Sequence, residues 1–322
     1  MTIRTPGFAS PLRLAAAALT ASFSTSLTAQ AVHVNFNLTF DDSASLLTED
    51  ERQEIYTNLS AAGNRWVRVI GLRVPRNIEV LISVADIPTA NGASVTTVLA
   101  GTIDGRETYE QGVAYEFRLN QDPNEHDPDA HITFGLDYLR NELWFDPDPE
   151  FRTMPVPADR TDAVSVLMHE MGHVLAYNGW SDLTTGTPPD TYWSLWDSWI
   201  APGAAPAFTG SAAVAAWGSA PALTIGNINH WGNPDSGMRA ARCIAAPVAW
   251  RWNAPMPAAC DAPPSADRPH DMTDASLIDQ LMNGVVFYRG TRYEISALDI
   301  GVLIDVGLME DRIFASGFEH PQ

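Results

Sequence analysis

The chain contains no lysine, so all 19 of its basic side chains are arginines. This absence excludes chemistry that depends on a lysine Schiff base or on a lysine general base. Acidic residues number 39, and the formal net charge is therefore -20. Such an acidic balance argues against a nucleic-acid partner and against binding to an anionic membrane surface.

Cysteine is scarce as well, since Cys243 and Cys260 are the only two in the chain. In an exported protein, a lone pair of this kind is predicted to form one disulfide, here across a Pro-rich loop. A zinc site built on the two thiolates is the alternative. The neighbouring sequence offers no further ligands for such a site, so the disulfide is the preferred interpretation.

Long apolar runs are absent beyond the N-terminal segment, so no membrane span is predicted in the mature chain. The segment itself carries Arg4 and Arg13, an apolar run over residues 14–19, and the small-x-small sequence at residues 29–31. This order is typical of a secretory signal peptide, with cleavage after Ala31 or, alternatively, after Ala29. An uncleaved anchor is disfavoured because the apolar run is short. The protein is therefore expected in the periplasm or outside the cell.

The remaining sequence predicts an α+β fold with a loop-rich second half. Hydrophobic residues form 45% of the chain, enough for a sizeable core, and charged residues only 18%. Strands are predicted in residues 32–40, 78–86 and 130–146, whereas residues 181–270 are rich in Pro, Gly, Ala, Trp and Asn. We expect a signal peptide (1–31), an N-terminal lobe (32–180), a C-terminal lobe (181–310) and a tail (311–322).

Three helices are predicted from their capping residues. The first begins at Thr48, with Glu51 in the capping-box position, and Gly63 is predicted to end it. The last has Ser296 and Asp299 in the same arrangement and ends at Gly307. The central helix is predicted to begin at Asp159 or Thr161 and to end at Gly179.

The central helix carries a metal-binding pattern in "VLMHEMGHVLAYNGW", residues 166–180. Residues four apart on a helix lie about 40° from each other around its axis, so His169 and His173 share one face. Their imidazoles can bind one zinc ion, which would activate a water for hydrolysis. Glu170 is offset from the two histidines and is predicted to act as the general base. An ordinary surface helix with incidental histidines is the alternative.

A catalytic zinc site needs a third protein ligand, and several residues further along the chain are candidates. The compact pattern HExxHxxGxxH fails here, because Ala176 and Gly179 occupy its last two defined positions. His230, in "IGNINHWGNP", is the preferred ligand because it is the first histidine after the helix. The alternatives are His270, the terminal His320, and Asp190 in "GTPPDTYW". The acidic run at residues 120–131 is compatible with calcium, but its spacing supports no calcium site.

Three blocks in order resemble the leishmanolysin-like zinc metallopeptidases: "HEMGHVLAYNG", "NHWG" and "QLMNGVVFYRGTRYEISALDIGVLIDVGL". The resemblance covers residues 159–308. It implies a zincin-like fold, with a mixed twisted sheet packed on the HExxH helix, and a secreted zinc endopeptidase with peptide or protein substrates. It also implies that Met282 is the methionine beneath the zinc. Ala176 replaces the family's glycine, and the segment that carries both cysteines has no counterpart.

The resemblance leaves the stabiliser of the oxyanion unassigned, with Tyr288 and Tyr293 as candidates and a core role as the alternative. Two other functions stay open. One is a non-catalytic, zinc-containing binding protein that uses the tryptophans of residues 193–252 as a ligand-binding face, and those tryptophans could equally form a core. The other is zinc-dependent hydrolysis of a non-peptide amide. Oligomeric state and side-chain specificity are not predicted.

Overall fold

The computed structural model describes residues 34–125, 127–232, 265–266, 276–284 and 287–309, all within the unit Val32–Gln322. Helices and strands alternate irregularly in it, which confirms a mixed α+β fold. The helices are α1 (Glu49–Ile70), α2 (Gly112–Leu119), α3 (Leu136–Asn141), α4 (Ala163–Leu175), α5 (Ser211–Trp217) and α6 (Ala297–Asp305). No helix of the described residues combines the length and the apolar character that a bilayer crossing requires.

Most strands are short, and they form several small sheets rather than one large one. They are β1 (Val34–Phe40), β2 (Arg76–Ala85), β3 (Ala90–Ser94), β4 (Thr97–Ile103), β5 (Arg106–Gln111), β6 (Ala130–Gly135), β7 (Leu143–Trp144), β8 (Thr161–Asp162), β9 (Tyr192–Ser194), β10 (Ile200–Ala201), β11 (Ala207–Phe208), β12 (Leu223–Thr224), β13 (Asn227–Trp231), β14 (Ser265–Ala266) and β15 (Phe287–Tyr288). The second half of the chain, predicted to be loop-rich, thus pairs in short ladders.

The main sheet has the strand order β1-β2-β6-β3. The first three strands are parallel, whereas β3 runs antiparallel to β6 and lies at the edge. Buried residues alternate along β1 and the first part of β2, so one face of the sheet is covered. Helix α1 contacts β1, and α4 contacts both α1 and β3. The sheet edge and the central helix are therefore neighbours.

The two capping boxes predicted from sequence are confirmed. The Thr48 hydroxyl accepts a hydrogen bond from the Glu51 backbone N–H, and the Glu51 carboxylate accepts from the Thr48 N–H. Ser296 and Asp299 make the same pair of bonds at the start of α6, and Gly307 adopts the left-handed conformation just after it, with φ 76°. Each box satisfies two backbone groups that a helix start would otherwise leave unpaired.

The predicted end of the first helix at Gly63 is wrong, because α1 continues to Ile70 and ends at Gly71 in the left-handed conformation. Gly63 instead allows the Phe36 ring to pack against α1. A Cβ atom there would lie 2.2 Å from Cζ of Phe36, so only glycine lets the β1 side chain reach the helix.

Both predicted ends of the central helix are also wrong. Thr161 and Asp162 pair with β7, and the Asp162 side chain is the cap, accepting from the Ser165 N–H at 2.9 Å. The helix ends at Leu175 rather than at Gly179. Gly179 packs against Asp197, whose carboxylate would lie 2.3 Å from a Cβ atom at that position.

Candidate metal centre

Helix α4 places two of the predicted ligands side by side. All 13 of its residues are buried, because the helix lies between α1 and the sheet edge. The Trp66 indole N–H donates to the Met168 carbonyl at 2.8 Å and fixes α4 against α1. The Nε2 atoms of His169 and His173 are 3.1 Å apart. The four-residue spacing therefore does what the sequence pattern predicted.

Strand β13 brings the third imidazole to the same point. The Nε2 atom of His230 lies 3.0 Å from that of His169 and 2.9 Å from that of His173. Among the described residues, these three form the group of His, Cys, Asp or Glu side chains able to hold a metal ion. Asp190 lies elsewhere, in a loop where its carbonyl accepts from Arg106. His270 and His320 lie outside the described residues.

The second ring nitrogens of His169 and His173 determine what their Nε2 atoms can do. Nδ1 of His169 lies 2.8 Å from the Leu281 carbonyl oxygen, and Nδ1 of His173 lies 2.7 Å from the Tyr177 carbonyl oxygen. A carbonyl oxygen only accepts, so both Nδ1 atoms carry the proton and both neutral Nε2 atoms present lone pairs. Lone pairs that converge at a separation of 3.1 Å repel one another unless a cation lies between them, so this geometry favours a metal ion.

The dimensions fit zinc. Three nitrogens at the usual distance of about 2.0–2.1 Å from a tetrahedral zinc ion are about 3.3–3.4 Å apart. The observed separations of 2.9–3.1 Å need only small ring movements to reach that spacing. Three histidines are also the protein ligands of a known class of catalytic zinc site, in which the fourth position stays open for water.

The electrostatic surroundings keep the imidazoles neutral, as metal binding requires. Burial lowers the pKa of His169 to about 4. Burial, reinforced by the neighbouring imidazoles, holds the pKa values of His173 and His230 well below their ordinary value. The three side chains therefore do not need to lose a proton before they bind a cation at neutral pH.

The turn at Leu281 and Met282 makes hydrogen bonds both to His169 and to the strand that carries His230. Leu281 offers its carbonyl to His169, and the next residue, Met282, accepts the Trp231 backbone N–H at 2.8 Å. The Met282 side chain packs against α4 at Gly172, where a Cβ atom would lie 2.5 Å from its sulfur. Met282 thus lies beside the helical turn that separates His169 from His173.

Glu170 faces the edge strand. It is 4% exposed, and the Gly92 backbone N–H donates to its carboxylate. Burial raises the pKa of Glu170 to about 8, and the Gly92 hydrogen bond partly offsets this rise. A nearby cation would favour the ionised form. The hydrogen bond from β3 therefore fixes the orientation of the Glu170 carboxylate. Whether the carboxylate is protonated depends on whether a cation lies beside it.

Gly92 is a site residue that the sequence does not reveal. A Cβ atom there would lie 2.6 Å from the Glu170 carbonyl oxygen and 2.7 Å from its Cβ. Both are atoms at the helix backbone, so neither can move away cheaply. Only the three-dimensional contact between β3 and α4 demands glycine at this position.

We expect Gly92→Ala to destabilise the fold by about 1–3 kcal/mol, the usual cost of overpacking, and to displace Glu170. The free energy of unfolding in urea measures the first effect, and a peptidase assay measures the second. Ala93→Ser is the matched control, because it also adds one heavy atom to β3, at a half-buried position. Equal stability of Gly92→Ala and the control would contradict the close contact.

Both tyrosines proposed for the oxyanion are buried in the fold. The Tyr293 hydroxyl accepts the Tyr288 backbone N–H at 3.1 Å, and the Tyr293 ring packs on Phe287 at a centroid distance of 4.7 Å. The Tyr288 side chain is buried, and its pKa is raised by burial and by the nearby Asp279. Both positions agree with a structural role.

Among the tryptophans of the second half that the structure describes, Trp196 and Trp231 belong to the core, whereas Trp199 and Trp217 are partly buried against it. Trp196 and Trp231 are fully buried, with Phe208 packed against both. This cluster supports the strand that carries His230.

The cysteine pair, Cys243 and Cys260, lies outside the described residues, as do the predicted signal peptide and the C-terminal tail. Comparisons with family models, with curated proteins and with solved structures find no match for this chain.

Proposed function

We propose that the protein is a secreted zinc-dependent endopeptidase of the leishmanolysin-like kind. His169, His173 and His230 hold the metal, and Glu170 is the general base. The observation that carries this proposal is the convergence of three imidazole Nε2 atoms within 3.1 Å of one another, with a carboxylate on the same helical turn. The three sequence blocks that resemble this peptidase family support it independently. Export rests on the N-terminal segment, which is outside the described residues.

Glu170 supplies the proton transfer. When bound, a zinc ion polarises a scissile carbonyl and acidifies a water. The Glu170 carboxylate accepts the proton of the attacking water and then delivers it to the leaving amine. Its hydrogen bond from Gly92 fixes the carboxylate relative to the edge strand. This orientation brings the base to the place where a substrate backbone would lie.

Strand β3 offers that substrate a template. The Thr89 backbone carbonyl accepts from the Gly135 N–H, and the Val95 backbone N–H donates to the Asp129 carbonyl. Alternate residues of this segment therefore pair with β6. The intervening residues, Ala90, Gly92 and Ser94, direct their backbone groups away from β6. The Gly92 N–H already donates to Glu170, so a substrate would pair with the other outward groups of this edge. An extended peptide can pair with such an edge by adding a strand. The arrangement favours a peptide over a non-peptide amide, which has no repeating backbone.

One observation favours the non-catalytic alternative, a secreted zinc-containing binding protein. The three histidines are 0–1% exposed and Glu170 is 4% exposed, and structural zinc sites are closed to solvent. A purely structural site, however, has no use for Glu170. The two functions therefore differ in hydrolysis rather than in metal content.

Metal analysis combined with a casein-cleavage assay separates them. We expect about one zinc per chain, loss of cleavage in the presence of a strong chelator, and recovery on addition of zinc but not of magnesium. Calcium, added alone to the stripped protein, should restore nothing, because hard cations prefer oxygen ligands. Zinc-loaded protein that cleaves neither casein nor mixed peptides would support the binding protein instead.

A further inference from the structure

We infer that Tyr177 is a positioning residue for the metal centre, and that Asp299 of helix α6 holds it in place. The inference rests on the metal-binding part of the proposed function and not on hydrolysis. It concerns how the orientation of His173 is fixed. Outer-shell partners of metal-bound imidazoles determine ring direction and tautomer, so their loss weakens metal binding.

The partner of His173 is a backbone carbonyl, which no side-chain substitution removes. Nδ1 of His173 donates to the Tyr177 carbonyl at 2.7 Å. The direction of that carbonyl depends on the backbone of residue 177. Whatever holds the side chain of Tyr177 therefore determines where the hydrogen bond points.

Helical hydrogen bonding does not fix residue 177 by itself. Helix α4 ends at Leu175, and Ala176 has already left helical geometry, with φ -148°. The Tyr177 N–H reaches back to the Gly172 carbonyl at 3.1 Å, five residues earlier. A backbone at this point has several conformations open to it, so tertiary contacts must select one.

Those contacts come from distant parts of the chain. The Tyr177 hydroxyl donates to Oδ1 of Asp299 at 2.8 Å, and both side chains are fully buried. The Tyr177 ring packs against Trp196 at 4.8 Å and against Trp231 at 5.5 Å between ring centroids. Trp231 directly follows His230, so the same ring contacts the segment that carries the third ligand.

The Asp299 carboxylate is itself held by two further hydrogen bonds. Its other oxygen, Oδ2, accepts the Ser296 backbone N–H at 2.8 Å and the Ser296 hydroxyl at 2.9 Å in the capping box of α6. One carboxylate thus starts the last helix and anchors the residue that orients His173. The last helix is thereby linked to the metal ligands through two hydrogen bonds.

Tyr177→Phe tests the inference, because it removes the hydroxyl and leaves the ring between the tryptophans. We expect zinc affinity, measured by competition with a chelator, to fall roughly tenfold, the lower end of the range for outer-shell changes. The visible absorption of the cobalt-loaded protein should change as well, since it reports the ligand arrangement directly. Tyr138→Phe is the matched control, because Tyr138 is a buried tyrosine on α3. It should leave both measurements unchanged.

A second pair of variants separates positioning from stability. Asp299→Asn weakens the acceptor of the Tyr177 hydroxyl and should reduce zinc affinity even if hydrolysis is never observed. Ser296→Ala removes one of the two bonds to Oδ2 of Asp299 but keeps the carboxylate that accepts from Tyr177. It should therefore lower the melting temperature while weakening zinc binding much less than Asp299→Asn does. Wild-type affinity and an unchanged cobalt spectrum in Tyr177→Phe would overturn the inference. So would equal losses of zinc affinity in Asp299→Asn and Ser296→Ala.

Discussion

Replacement of Glu170 by glutamine is expected to lower the rate of peptide hydrolysis by about 10²–10⁴-fold, the usual contribution of a general base. Glutamine has the same shape, and its amide oxygen can still accept the Gly92 N–H. It cannot take up a proton at neutral pH. The zinc content should stay at the wild-type value, because none of the three Nε2 atoms depends on Glu170. Steady-state kinetics on a fluorogenic peptide, with metal analysis of the same sample, measures both effects.

The chain offers a matched control for this variant in Glu116. It is 6% exposed, and burial raises its pKa to about 7, so it resembles Glu170 electrostatically. It lies on α2, outside the group of three histidines. Glu116→Gln should therefore hydrolyse peptide at the wild-type rate. Full activity of Glu170→Gln would refute the mechanism, and joint loss of zinc and activity would assign Glu170 a structural role.

Local chemistry in the sequence predicts the parts of this fold that are local. A capping box needs only a hydroxyl and a carboxylate three residues apart, and both predicted boxes are present. The spacing of His169 and His173 likewise follows from the helical repeat. Residues that interact within one turn are thus readable without knowledge of the rest of the chain.

The predictions of helix boundaries are wrong where contacts with distant segments of the chain determine the backbone structure. The sequence predicts helix ends at Gly63 and Gly179, because glycine is common at that position. Their actual neighbours are Phe36 and Asp197, which pack too closely to admit a Cβ atom. The start of α4 was misplaced for a related reason, since pairing with β7 holds Thr161 and Asp162 in a strand.

In the candidate site, too, the features set by local sequence are predictable and those set by distant contacts are not. The sequence favours His230 over other distant ligands by its order in the chain and by the resemblance of "NHWG" to a block of the peptidase family. Its approach to α4 depends on the pairing of Trp231 with the turn at Met282. No sequence pattern marks Gly92 or Tyr177 as part of the site. Their roles depend on contacts with Glu170 and Asp299, which are far away in sequence.

Removal of the third ligand should have the largest effect on the metal. We expect His230→Ala to weaken zinc binding by more than about 100-fold, which exceeds the usual cost of losing an outer-shell partner. Only the two imidazoles of α4 remain in this variant, so the metal ion would have two protein ligands instead of three. Isothermal titration of the stripped protein with zinc measures the loss.

The same variant changes thermal stability in a way that depends on zinc. A ligand present at about 1,000 times its Kd stabilises a folded protein by about 4.1 kcal/mol, so zinc should raise the melting temperature of the wild type by several degrees. His230→Ala should lose that rise. His131→Ala is the control, because His131 lies on β6 with Nε2 2.7 Å from the Ser83 hydroxyl, outside the group of three histidines. It should keep the zinc-dependent rise, even if its own melting temperature is lower. An undiminished rise in His230→Ala would show that another residue completes the site.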